Sequence, residues 1–355
     1  MPSKIKQFEA IIETAIASKV FPGCSIVFLN EDTCFSQGYG HFTYELNASQ
    51  VHTSTIYDCA SLTKIIAPMA VAMILIDKGI LNLDEKISKY LPEFVNQPEK
   101  GEALLSHLMT YTMDYNIPGG SKSLFGTLSP EQVAHNALSY PLKALPGTNY
   151  MYSNITAFIL TQIIERVTSE NFYTLVKDYV FTPLEMSTAT FFPSSKTKSL
   201  IPPTELTNDR GEVRGFVHDE FTFYTTKGGI SNGAAGLFAS INDITQFLKV
   251  ALHGGEYNKK PIFSSTIVSK WTEDYYPKLL PTHTPIGWGD LNNILIDTYH
   301  REMVVKSGFT GCFMSADLKN HRGFAILSNR IYPHRPMDAG AFNKVKEALL
   351  DVAFL

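Results

Sequence analysis

Three short clusters of residues have the types and spacing to do chemistry on a carbonyl. Ser61 and Lys64 stand three apart in Asp58-Cys59-Ala60-Ser61-Leu62-Thr63-Lys64, just ahead of a long apolar run from Ile65 to Ile76. At a helix start that spacing puts both side chains on one face, one turn apart. The serine then lies in the positive field of a helix N-terminus, among free backbone N–H groups, where negative charge on a substrate oxygen is favoured. The lysine can hold or take the serine proton, provided burial or a neighbouring cation keeps its pKa low. Tyr152-Ser153-Asn154 follows Pro146-Gly147, on a loop before a helix. Lys306-Ser307-Gly308 falls at the edge of a late strand, with Phe309-Thr310-Gly311 after it.

Each cluster also has an ordinary structural reading. Ser-x-x-Lys occurs at Ser3/Lys6, Ser61/Lys64 and Ser195/Lys198, and only Ser61 precedes a long apolar helix. Alone, Ser61 reads as an N-cap. Tyr152 reads as a buried tyrosine beside a capping Asn154, and Lys306 as a strand-end lysine before hairpin glycines.

The elements that must position these residues follow from periodicity. Ile5, Phe8, Ile11/Ile12 and Ala15/Ile16 repeat at helical spacing, and Pro22-Gly23 ends that helix. Two strands are expected at 24–30 and 33–40, then the Ser61 helix, which Pro68 should loosen or kink because it offers no N–H to the carbonyl of residue 64. Gly79 is a natural C-cap. Residues 81–190 read as mostly helical, with helices at 102–112, after the Ser129 cap, at 156–167 and at 172–180. Residues 191–235, rich in Pro, Thr, Gly and Asn, read as a long loop. Ser240 to Asp243 caps a further helix that stops at Gly254-Gly255. Strands at 302–307, 311–317 and 322–329 and a last helix through Phe342, Val345, Leu349 and Val352 close the chain.

The expected fold class is therefore α+β, layered α/β/α. Five strands would form one antiparallel sheet, with the first and last helices on one face. The Ser61 helix and a helical insert would cover the other. In domain terms, 1–80 with 285–355 would carry the sheet, 81–284 the mostly helical part, and the site would lie between them.

Composition excludes several classes. The chain has 355 residues, 44% hydrophobic and 18% charged, with a net charge of −4 and no run of Lys/Arg, so nucleic acid is a poor partner. No stretch reaches the ~20 apolar residues that span a bilayer. Met1 to Ala17 lacks a signal-peptide core, which points to a cytoplasmic address, or a periplasmic one if a leader has been removed. Ten scattered histidines without ligand spacing support neither a metal nor a cofactor. Cys24, Cys34, Cys59 and Cys312 are too few for a disulfide framework and read as buried thiols. In a hairpin turning near Glu31-Asp32, Cys34 would face Leu29, too far from Cys24 for a disulfide.

Taken together and in order, Ser-x-x-Lys, Tyr-Ser-Asn and Lys-Ser-Gly resemble the three motifs of the serine β-lactamase and penicillin-binding-protein superfamily. The middle motif is similar to that of class C β-lactamases, D-amino-acid-directed peptidases and family VIII-type carboxylesterases. The spacings fit, with Ser61 and Tyr152 91 apart and Tyr152 and Lys306 154 apart. His107 to Thr112 and Gly236 to Ser240 resemble further segments of that group. The resemblance implies a β-lactamase/transpeptidase-like fold and an acyl-enzyme on Ser61, formed from an ester, amide or β-lactam carbonyl. It implies Lys64 beside Ser61 and Tyr152, and Lys306 as a second cation. Near two cations the Tyr152 phenolate would be favoured, so Tyr152 would act as base and then acid. The N–H groups of Ser61 and Phe309 would form the oxyanion hole, with Asn154 on a substrate amide and Ser307 and Gly308 lining the strand side.

Two departures bear on the expected substrate. Phe309 stands where class C relatives have a small hydroxyl residue and would narrow the place of a β-lactam carboxylate, and Met113-Asp114 alters the pocket loop. The first leans toward esterase or D-aminoacyl peptidase activity on a small molecule or peptide; the second leaves the shape of the pocket loop open. The rivals are a transacylase with the same residues, and a penicillin-binding or scaffold module that does not turn over. His218-Asp219-Glu220 reads as a loop-ordering turn rather than a second acid/base cluster. Gly287-Trp288-Gly289 reads equally as a pocket wall or a core turn. The sequence assigns no oligomeric state.

Overall fold

The computed structural model describes residues 2–31, 33–117, 128–279, 284–288 and 303–355. Asp32, Gly289 and Glu302, which enter the sequence reading, lie outside them. Helix α1 (Pro2–Ala17) leads into β1 (Gly23–Asn30) and β2 (Thr33–Gly40), a hairpin in which Leu29 faces Cys34 as expected. The short β3 (Ile56–Asp58) precedes α2, residues 62–77. Later come α3 (Asn154–Thr168), α4 (Glu220–Lys227), β4 (Phe238–Ser240) and α5 (Ile241–Leu252). The chain closes with β5 (Met303–Gly308), β6 (Cys312–Asp317), β7 (Arg322–Ser328) and α6 (Gly340–Phe354).

The five long strands form one antiparallel sheet in the order β2-β1-β7-β6-β5. On one face, Phe8 and Ile12 of α1 and Leu349 and Leu350 of α6 pack on Ile26, Phe313, Phe324 and Ile326. On the other, Val27, Met314, Ala325 and Leu327 join the large core built on α2, α3 and α5. Alternate strand residues face alternate layers, so one strand pattern serves two cores. Among the described residues no helix is long and apolar enough to cross a membrane.

Pro68 acts where the sequence placed it. Helix α2 runs as an α turn (Leu62–Lys64), a π-helical turn (Ile65–Met69) containing Pro68, and an α segment (Ala70–Asp77). Proline removes one N–H from the ladder, and the Ala70 N–H reaches back to the Ile65 carbonyl, five residues away.

Four expectations need correction. Residues 191–235 are not one loop: they hold the helix Ser195–Lys198, the hairpin Glu205–Thr207/Gly211–Val213 and α4. The helix read at 102–112 spans only Leu105–Met109, and that at 172–180 turns π-helical after Val176. Cys34 is exposed, because β2 is an edge strand; Cys24, Cys59 and Cys312 are buried free thiols. Of the two readings left open for Trp288, the structure takes the core one: it is fully covered and edge-on to Trp271 at 5.7 Å.

Candidate active site

Ser61 sits on a tight elbow between β3 and α2. Ala60, just before it, takes the left-handed conformation (φ +45°), which costs an L-residue about 1–3 kcal/mol. The elbow is braced on every side. Asp58, itself buried, accepts from the Ala60 N–H at 2.8 Å and, with its other oxygen, from the His218 N–H at 2.7 Å. β3 pairs with β4, and Thr63 Oγ1 accepts from the Leu237 N–H. Thr310 Oγ1 donates to the Asp58 carbonyl, fastening the β5–β6 turn to the same point. Burial lifts the Asp58 carboxyl above its ordinary range, against the pull of its two N–H donors.

Ser61 does not cap the helix; its side chain makes no capping bond. Its Oγ instead lies 3.0 Å from Lys64 Nζ. Lys64 is wholly buried and also donates to Asn154 Oδ1 at 2.8 Å and to the Ala234 carbonyl at 2.7 Å. Burial drives its amine down and the Asp219 charge pushes back, leaving it at about 7. The Ala234 carbonyl is held by a built loop: Asn232 Oδ1 accepts from the Ala234 N–H and Thr161 Oγ1 from the Gly233 N–H.

Lys306, from β5, reaches the same place from the sheet. It donates to Tyr111 Oη at 2.6 Å and to the Gly287 carbonyl at 3.3 Å. Burial, with the nearby Lys64, drives its amine well down. Gly308 makes this approach feasible. A Cβ there would meet the Cys59 carbonyl oxygen at 2.6 Å, so a side chain would force β5 away from the elbow. The N–H groups of Ser61 and Phe309 flank this contact, and neither has an acceptor among the described residues. Two such donors at one edge are what an oxyanion requires.

Tyr152 closes the site. Lys64 Nζ and Lys306 Nζ each lie 5.1 Å from its ring centre. The residue is 40% exposed, but its hydroxyl end is buried beside Ser61. The expected bias toward phenolate is absent. Burial pushes the phenol up, a hydrogen bond with Ser61 pulls it back only in part, and Asp219 adds to the rise. Burial lowers both lysine amines as well, which weakens the positive field that would favour a phenolate.

Sequence reasoning missed three contributors. Tyr111, at φ +58°, places its hydroxyl against Lys306 and its ring 5.0 Å from that of Tyr152. Ala234 holds Lys64 through a carbonyl, which no side-chain motif reveals. Asp219 was read as part of a loop-ordering turn, yet its Oδ2 accepts from Asn154 Nδ2 at 2.8 Å. Asn154 is thus engaged inside the protein through both amide atoms, leaving one N–H for the expected substrate contact. Phe309, expected to narrow the pocket, stacks on His218 at 5.7 Å and lies under Arg330 and Arg335, each at 5.4 Å. His218 itself bonds Glu205, which Arg335 also holds. Among the described residues no group of three His, Cys, Asp or Glu side chains could hold a metal ion.

The family model described as Beta-lactamase matches residues 8–348. A Salmonella agona protein provisionally named D-alanyl-D-alanine carboxypeptidase is 30% identical over 318 residues, spanning 80% of this chain and 71% of its own. Among solved structures the fold is similar to that of EstCE1, described as a hydrolase with promiscuous acyltransferase activity; the TM-score is 0.78 at 16% identity, covering 100% of this chain and 99% of that one. It is also similar to a beta-lactamase/D-alanine carboxypeptidase from Pseudomonas syringae, with a TM-score of 0.77 at 17% identity over 98% and 99% of the two chains. At such identities these two structures speak for the fold alone. Matched along nearly its whole length by the family model, the chain belongs to the beta-lactamase family.

Proposed function

We propose that the protein is a serine hydrolase that forms an acyl-enzyme on Ser61 from an ester or a D-aminoacyl amide, with Lys64 as the base. One observation carries this reading: the three contacts of Lys64 Nζ. Two are to carbonyl oxygens, Asn154 Oδ1 and Ala234 O, which can only accept. A neutral amine has two N–H bonds, and those acceptors take both. Its lone pair is left facing Ser61 Oγ, 3.0 Å away. An amine at about 7 is half free base at neutral pH.

The steps follow. The Ser61 proton passes to Lys64 as Oγ bonds the carbonyl carbon. The N–H groups of Ser61 and Phe309 take the negative oxygen. The Tyr152 phenol, hydrogen-bonded to Ser61, gives its proton to the leaving oxygen or nitrogen as that bond breaks, and recovers it from the Lys64 ammonium. Water then attacks the ester carbonyl: its proton passes through the Tyr152 hydroxyl to Lys64, and the Lys64 ammonium returns a proton to Ser61 Oγ as the bond from Oγ to the carbonyl carbon breaks and the acid leaves. A phenol kept protonated by burial suits this donor role. The provisional name of the Salmonella agona relative supports a D-aminoacyl amide. Phe309 in place of a small hydroxyl residue supports an ester or peptide over a β-lactam.

Intact-mass spectrometry with turnover tests the reading, on p-nitrophenyl acetate, nitrocefin and a D-alanyl peptide. The wild type should gain an acyl mass and turn over at least one of them; Ser61→Ala should do neither. Equal behaviour of the two proteins would remove Ser61 as nucleophile and leave a binding module.

A further inference from the structure

We propose that Asp219 is a positioning residue for the base: acting through Asn154, it fixes the direction in which Lys64 presents its nitrogen to Ser61. This rests on the reading of Ser61 and Lys64 above.

Asp219 divides its two oxygens between two tasks. Oδ1 caps α4, accepting from the Thr222 N–H and Thr222 Oγ1 at 2.8 Å each. Oδ2 accepts from Asn154 Nδ2 at 2.8 Å. Capping alone does not call for a carboxylate, since serine or asparagine caps as well. The second contact does. A carboxylate only accepts, so Asn154 must turn its NH2 toward Asp219 and its Oδ1 toward Lys64. That orientation supplies one of the two acceptors that occupy the N–H bonds of a neutral Lys64. Were the amide reversed, its NH2 would face Lys64 Nζ and draw the lone pair away from Ser61. A neutral partner at 219 would permit either orientation.

The surrounding charges are few. Lys64 faces Asp219, Lys306 and Tyr152. Asp219 faces Asn154 and, at longer range, the carboxyl of Asp58 and the phenol of Tyr152. Its chain neighbours turn away: His218 bonds Glu205, and Glu220 bonds Arg335 and faces Arg210. The turn itself is fastened to the elbow by the His218 N–H on Asp58. Asp219 is therefore the acid whose charge reaches Lys64, and its position is fixed relative to Ser61.

The test is the pH profile of Ser61 acylation by p-nitrophenyl acetate in Asp219→Asn, Asp219→Ser and Asp219→Glu, with the acyl mass located on Ser61. Asparagine and serine both keep an acceptor for the α4 cap, and two neutral variants keep the test open if one of them fails to fold. Either neutral variant should still label Ser61, at a rate about 10²-fold lower, the usual cost of a misplaced group. In both, the acid limb should move to lower pH, because the charge that holds the Lys64 proton is gone. Asp219→Glu should keep the limb at the wild-type pH. Thr222→Ala, which weakens the cap and leaves the charge, should lower the melting temperature without moving the limb. A folded Asp219→Asn or Asp219→Ser with the wild-type limb would overturn the proposal while leaving Ser61 as nucleophile. A wild type that gains no acyl mass on Ser61 would overturn both readings.

Discussion

Replacing Lys64 by methionine should make the protein more stable as the pH is lowered, relative to the wild type, while abolishing acylation. The amine sits at about 7 in the folded protein against an ordinary 10.5. At about 1.4 kcal/mol per tenfold in proton concentration, burying the ammonium costs the folded state roughly 5 kcal/mol. Between those two values the unfolded chain binds a proton that the folded protein has released, so wild-type stability rises with pH through that window. Nearly the full cost stands at pH 6, and roughly 1 kcal/mol of it remains at pH 10. Lys64→Met removes this dependence. It also leaves Asn154 Oδ1 and the Ala234 carbonyl without a donor, at about 1–3 kcal/mol each, a loss that does not vary with pH. The advantage of the variant over the wild type should therefore shrink by roughly 4 kcal/mol from pH 6 to pH 10. Urea unfolding of both proteins at pH 6, 8 and 10 measures it. Tyrosines and thiols that titrate in alkali are common to both and cancel; Lys306 is depressed mainly by its own burial, so most of its contribution cancels as well. The wild-type acylation rate must report the same proton, falling about tenfold per pH unit below about 7. A stability difference that is flat across this range would refute the reasoning.

Three further outcomes follow from single contacts. Gly308→Ala should lose about 1–3 kcal/mol by thermal melting, because its Cβ meets backbone at Cys59. It should also slow acylation more than tenfold by drawing the Phe309 N–H from the elbow; a wild-type rate would show that β5 tolerates the displacement. Tyr111→Phe removes the 2.6 Å partner of Lys306. It should slow turnover about tenfold, the worth of one hydrogen bond, and an unchanged rate would show that this contact does not position Lys306 for the reaction. Among the four thiols only Cys34 should react with a thiol reagent in the native protein, with the other three reacting after denaturation. Prompt reaction of two or more would contradict the packing of β1, β3 and β6.

The parts of this fold that were legible in the sequence are those set by local chemistry. Short strand-like runs separated by turn residues placed β1, β2, β6 and β7 to within a residue or so: β1, β6 and β7 are apolar because both faces of each are buried, and β2, at the sheet edge, is fixed by its hairpin with β1. Pro68 announced the break in α2 through its missing N–H. Residues 191–235 were illegible for the opposite reason. Their order comes from distant partners: Arg335 holds Glu205 and Glu220, and Asn329 holds the Pro203 carbonyl. Composition in such a segment reports turns, while the charges that organise it lie more than 100 residues away. The site divides in the same way. The motif residues were visible as types and spacings. Asp219 and Ala234 were not, since one acts across 65 residues through an amide and the other through backbone.

The distribution of cost in the structure bears on whether this is an enzyme or a scaffold. Ala60 and Tyr111 both hold left-handed backbone, at about 1–3 kcal/mol each. Lys64 and Lys306 are buried, and among the described residues neither forms an ion pair with a carboxylate. Among the described residues the N–H groups of Ser61 and Phe309 have no acceptor. Elsewhere such costs are scattered or paired: Lys100 is a single buried amine on the Leu138 carbonyl, and Glu205 is buried with His218 and Arg335 bonded to it. Among the described residues, two buried amines hydrogen-bonded but without a carboxylate in contact, two amides without an acceptor and two left-handed residues gather in one small region, and that concentration points to a demand other than stability. Methionine at 64 and 306 would relieve much of the cost without altering the volume, and glycine at 60 would relieve the strain. A binding scaffold has no use for a lysine whose proton leaves near neutrality, because recognition of a carbonyl needs only the two amides. A proton acceptor beside a nucleophile needs that lysine. This argument favours turnover at Ser61 over a vestigial site.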